Sequence, residues 1–171
     1  MSRPPLLLLL IGFLLAGCGY TLERGNPPLP QQARTLALLP VRNETYEPIL
    51  ETETATVMQE TLRSNTSVIL LPEGQADLEL LLSLVRLVET RTAATTDAPA
   101  GITVSLSAQA SLKDLRKDRY LWKEVALQAS LSESAVNDSL ELVSGIKTTR
   151  IRQELLEQLC RKVYDRIFLD F

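Results

Sequence analysis

Hydrophobic and polar positions alternate most cleanly over residues 102–113. Ile102, Val104, Leu106, Ala108, Ala110 and Leu112 fall on one side, and Thr103, Ser105, Ser107, Gln109, Ser111 and Lys113 on the other. Successive side chains of a strand point to opposite faces, so this period predicts a strand with one buried and one wet face. Residues 120–131 alternate again through Leu121, Val125, Leu127, Ala129 and Leu131, with Lys123 as the one break. The charged connection Arg116-Lys117-Asp118-Arg119 joins the two as an antiparallel hairpin. Upstream, Ala76, Leu78, Leu80, Leu82 and Leu84 oppose Asp77, Glu79 and Ser83, and from Leu81 both sides turn apolar (Val85, Leu87). That predicts a central or twisted strand. Two shorter apolar runs, residues 35–41 and 68–71, are closed by Pro40 and Pro72.

Two segments carry a helical period instead. In residues 48–64, Leu50, Thr54, Val57, Met58, Thr61 and Leu62 share one face. Pro48 suits the first helical position, Glu51 and Glu53 sit near the positive end of the dipole, and Asn65 closes the helix. In residues 149–168, Ile151, Leu155, Leu159, Val163 and Ile167 recur every fourth position, Leu156 widens the stripe, and the opposite face is charged. Residues 89–101 and 132–145 are polar and are expected to connect elements. The order is strand, helix, three strands, helix. It predicts an α+β fold, a two-layer sandwich in which two helices pack on one face of a mixed, about four-stranded β-sheet.

The chain begins differently. Arg3 precedes an apolar run from Leu6 to Ile11, extended by residues 13–16. This has the form of a secretory signal and is too short to cross a bilayer comfortably, which takes roughly 20 apolar residues. It ends in Leu15-Ala16-Gly17-Cys18, which resembles the lipobox of bacterial lipoproteins. That resemblance implies removal of residues 1–17 and acylation of Cys18, which becomes the first residue of the mature chain. Two or more acyl chains hold a protein stably on a membrane where one does not. Gly19 lacks the form of an inner-membrane retention signal, so the expected location is the periplasmic face of the outer membrane. Pro27, Pro28 and Pro30 suggest an extended spacer over residues 18–34, leaving residues 35–171 as a single domain.

Composition narrows the chemistry. The 171 residues contain no His and two Cys, with a net charge of −3. Histidine-based nucleophile pairs and histidine metal ligands are excluded, and two thiols cannot build a four-thiolate zinc site. The acidic balance argues against nucleic acid as a partner. Phosphate loops and nucleophile elbows are missing, and the paired carboxylates Glu51/Glu53, Asp77/Glu79 and Glu133/Asp138 have no second catalytic element beside them. No enzymatic activity and no cofactor are expected. Cys160, at the rim of the last helix's stripe, reads as a small buried hydrophobe; the alternative is an intermolecular disulfide or a reactive thiol beside Arg161 and Lys162. Arg116, Lys117 and Arg119 at the hairpin tip, with Arg86 and Arg91 flanking the 89–101 loop, read either as solvated charge or as contacts for anionic lipid phosphates. Tyr120 and Trp122 beside the tip could pack on a partner or fill the core.

Taken together, residues 17–22 (GCGYTL), the proline-rich spacer and residues 36–51 (LALLPVRNETYEPILE) resemble the LptE family of LPS-assembly lipoproteins. Residues 76–80, the Leu121-Trp122 pair and the ending over residues 163–168 agree with it. The resemblance implies two helices on a mixed sheet and no catalysis. It also implies a lipid-anchored plug inside a large outer-membrane β-barrel that assembles lipopolysaccharide into the outer leaflet. The barrel and lipopolysaccharide are the partners it implies. The runner-up is a lipoprotein adaptor or pilot for another outer-membrane complex.

Overall fold

The computed structural model describes residues 27–93, 101–134 and 145–168; the signal segment and Cys18 lie outside them. A 3-10 turn at Pro30–Gln32 leads into β1 (Thr35–Leu38), β2 (Arg42–Asn43) and α1 (Ile49–Arg63). Then come β3 (Ile69–Leu70), β4 (Leu78–Thr92), β5 (Gly101–Asp114), β6 (Arg119–Ser134) and α2 (Gly145–Phe168). The strands form one mixed sheet in the order β3-β1-β4-β5-β6, with β2 also against β4. β1 is parallel to β3 and β4, and β4, β5 and β6 are antiparallel neighbours. The two-layer α+β architecture is the expected one.

The sheet is larger than the expected four strands, for local reasons. The first apolar run splits at Pro40, which has no N–H to give the ladder. The N–H groups of Leu39 and Glu44 still donate to the Leu80 and Leu84 carbonyls, at 2.9 and 2.8 Å, so β1 and β2 flank β4 as one interrupted line. The run at residues 68–71 supplies β3. β4 continues to Thr92, and β6 to Ser134, into stretches whose polarity suggested connections. Cross-strand ladder bonds to β5 carry these polar residues, and ladder pairing does not require apolar side chains. Likewise α2 starts at Gly145, four residues ahead of the apolar stripe's expected start.

Three register shifts explain the irregular alternation; the one nearest the β5–β6 turn leaves Leu121 without a partner between Trp122, opposite Leu112, and Tyr120, opposite Lys113. Opposite β5, the register shifts between Leu84 and Arg86, so Leu87 rejoins the core face opposite Leu106. In β6 the register shifts again between the partners of Ala108 and Ala110: Leu127 pairs with Ala108, but Glu124 pairs with Ala110. One extra residue exchanges the two faces of a strand. As a result Trp122 packs into the core opposite Leu112, and Lys123 is exposed.

Both helices cover one face. α1 buries Leu50, Thr54, Met58 and Leu62, and α2 buries Leu155, Leu156, Leu159, Cys160, Val163 and Ile167. They run parallel. Near their starts Arg152 Nε donates to Glu53 at 2.7 Å, and past the end of α1 the Asn65 amide donates to the Tyr164 hydroxyl at 3.0 Å. The ends of both helices, the start of β4 and the β5–β6 turn therefore share one end of the sandwich, here termed the turn end.

Candidate functional surface

The hairpin tip is built around a buried carboxylate. Asp114 follows Leu112 on the core face of β5, and its side chain is 0% exposed. Its Oδ1 accepts the backbone N–H of Arg116 at 3.0 Å and of Lys117 at 3.3 Å. The Arg116 guanidinium adds Nε and Nη2 at 3.2 and 3.1 Å. Burial raises the Asp114 pKa, but the Arg116 hydrogen bonds and charge, with the two N–H donors, outweigh it and hold the carboxyl below its ordinary range. Asp77 is also held low, chiefly by the Arg34 N–H at 2.9 Å, with help from Thr35 and, at 3.9 Å, Arg116. Beyond them Lys113 and Asp118 pair at 2.6 Å, each shifted toward its charged form by the other.

The same cluster fastens the end of the proline-rich segment. Arg116 Nη2 donates to the Gln31 carbonyl and Lys117 Nζ to Gln31 Oε1, both at 3.2 Å. Gln31 and Gln32 both adopt left-handed φ values, 56° and 58°. Such conformations cost about 1–3 kcal/mol each for side chains of this kind. Opposing that cost, Leu29 and Ala33 are buried, and Asn65 Nδ2 donates to the Pro27 carbonyl at 3.0 Å. Residues 27–34, placed by their prolines in an extended spacer, are a strap packed on the domain. Prolines stiffen a chain, but they do not prevent a neighbouring leucine from entering a core.

The five cations singled out in the sequence are not brought together. Arg116, Lys117 and Arg119 lie at the turn end. Arg86 sits opposite Ser107, seven positions along β5 from Asp114, on the sheet face away from the helices. Arg91 sits opposite Ile102 near the far end, on the other face, and pairs with Glu89 at 2.7 Å. Arg116 is the most engaged of them, and Lys117, Arg119 and Arg86 are exposed. Asp77, Asp114 and Gln31 escaped sequence reasoning as partners. Asp114 had a readable signal, since it occupies the next apolar-face position after Leu112.

The face of the sheet away from the helices is polar across three strands. Rows of cross-strand neighbours read Thr90-Thr103-Ser132, Val88-Ser105-Ser130, Arg86-Ser107-Gln128 and Leu81-Ser111-Lys123. The Thr103 and Ser132 hydroxyls are 2.9 Å apart. Toward the turn end Lys123 Nζ lies 3.8 Å from the centre of the exposed Tyr120 ring, while Trp122 is core. On the helical side a cleft of about 450 Å³ between α1 and α2 is lined by Glu60, Glu157, Asp165 and Arg161 among others. Cys160 is buried, and burial, followed by the charge of Glu157, pushes its thiol up to about 12. Among the described residues no cluster of carboxylates and thiols could hold a metal ion, and no helix is long and apolar enough to cross a membrane.

No family model and no curated protein matches the chain. Solved structures do. The hypothetical protein CT253 from Chlamydia trachomatis superposes with a TM-score of 0.55 at 16% identity, over 78% of this chain and 94% of that one. Protein XCC0632 from Xanthomonas campestris gives 0.54 at 9% identity, over 81% and 86%. The uncharacterized lipoprotein B from Nitrosomonas europaea gives 0.51 at 12% identity, over 86% and 92%. The fold is one that a bacterial lipoprotein uses. At these identities the likeness extends to the fold alone.

Proposed function

We propose that this protein is a non-catalytic outer-membrane lipoprotein of LptE type. In this reading it is acylated at Cys18, occupies the lumen of a large β-barrel and assists assembly of lipopolysaccharide into the outer leaflet. The observation that carries the reading is the sheet face opposite the described helices, dense in Ser, Thr and Gln. A sheet face left open by its own helices must meet water or a polar partner. Short hydroxyl and amide side chains suit the polar interior wall of a barrel, where long charges would need individual partners. The lipobox and the resemblance over the mature chain supply the membrane and the class of partner. Lys117, Arg119, Arg86 and Arg91 are the candidate contacts for lipid phosphates. Arg116, beside Lys117 and Arg119 at the turn end, already serves Asp114.

The test is purification of the acylated protein from outer membranes in mild detergent. A large β-barrel protein in stoichiometric amount supports the reading; a chain that purifies alone overturns it. Depletion separates the runner-up: an adaptor or pilot for another complex leaves surface lipopolysaccharide normal.

A further inference from the structure

We infer that the turn end faces the lipid headgroups of the leaflet that anchors the chain, and that the loops at the opposite end point away from it. The inference rests on acylation of Cys18. With the strap fastened at Pro27 by Asn65, only residues 19–26 remain between the lipid and the fold. Fully extended, that length of chain reaches about 30 Å. β5 alone, at 14 residues, spans about 45 Å from one end of the sandwich to the other. The tether is therefore too short to let the far end rest on the anchoring leaflet.

Charge favours the same orientation. Arg34, Arg63, Lys117 and Arg119 are exposed on the strap, the end of α1 and the β5–β6 turn. Of the acids there, Asp114 and Asp77 are engaged with Arg116 and Asp118 with Lys113, while Glu60, Glu73 and Asp165 are exposed, so the exposed charge is cationic by a small margin. Tyr120, half exposed beside them, is a residue type suited to the membrane–water interface. The β2–α1 connection, which lies beside Leu84 about 20 Å along the sheet from the turn end, carries Glu44, Glu47 and Glu51 instead. An anionic headgroup layer attracts juxtamembrane cations and repels such carboxylates.

The experiment uses the acylated mature chain in vesicles of phosphatidylethanolamine and phosphatidylglycerol containing a headgroup-attached quencher. A fluorophore is placed in turn on Glu73→Cys at the turn end, Gln109→Cys on the open sheet face and Thr92→Cys at the far end, where β4 pairs with the start of β5; the native Cys160 is buried. Quenching is expected at position 73, with none above background at position 92. Equal quenching at 92, or stronger quenching at 109 than at 73, overturns the orientation. High salt, or K117E with R119E, should weaken quenching at position 73. Unchanged quenching there removes the headgroup contact by these cations. Mass analysis of the same preparation reports acylation, so an unmodified Cys18 identifies failure of the lipoprotein reading itself.

Discussion

The carboxylate of Asp114 is fully buried, and Arg116, two residues further along the chain, closes over it with a guanidinium contact of 3.1 Å. A carboxylate held below its ordinary pKa stabilises the fold at pH values above the unfolded-state pKa, and that contribution is lost as pH falls through the folded value. Asp77 has the same sign. Urea midpoints should therefore fall as pH drops below the ordinary carboxylate range, around 4. Asp114→Asn should lower stability at pH 7 and flatten this acid slope. A variant slope equal to that of the native chain would contradict the assignment.

Removal of Arg116 leaves the other half of the pair buried. In Arg116→Met the Asp114 carboxyl keeps two backbone donors but loses its countercharge, so its pKa should rise. Carboxyl titration followed by nuclear magnetic resonance reads this directly. The Gln31 contact is lost as well, and residues 27–34 should become more open to proteolysis than in the native chain.

Leu29 separates a packed strap from a free spacer. Truncating a buried leucine costs about 2–5 kcal/mol, whereas a surface change away from such contacts stays within about 0.5 kcal/mol. Leu29→Ala, with Leu29 at 3% exposure, should fall in the first range in a urea unfolding series.

Asn65 joins three segments through one amide. Its Nδ2 donates to Pro27 and Tyr164, and its Oδ1 accepts the Ser67 N–H at 2.9 Å. Asn65 is itself buried, and Asn65→Ala removes all three hydrogen bonds at once, which should cost about 1–3 kcal/mol. Tyr164→Phe should cost less, and a double-mutant cycle between the two should show coupling, since both report on one contact.

Cys160 should behave as a core residue. With its thiol pushed up to about 12 by burial, it should resist alkylation at pH 8 in the folded protein and react at the rate of unfolding. Cys160→Ser places a hydroxyl among apolar neighbours and should destabilise by about 1–3 kcal/mol. Rapid native-state modification would instead favour a reactive role.

The elements with a regular local period were legible in the chain: both helical stripes and the 102–113 alternation. Each depends on neighbours within a few positions. β6 was legible only in part, because a one-residue bulge reverses its faces without leaving a mark in composition. The extra strands, the strap and the turn-end cluster were set by contacts between distant residues. Asn65 meets Pro27 across 38 positions, and Arg116 meets Gln31 across 85. The basic tip, read alone, offered either solvated charge or contacts for lipid phosphates; folding places a buried carboxylate beneath it and a strap across it. The sequence by itself determined the class of fold and which side chains are apolar or charged. Only the tertiary structure decided which of those charges are already spent on one another and which segments meet at the turn end, because both are distances between segments far apart in the chain.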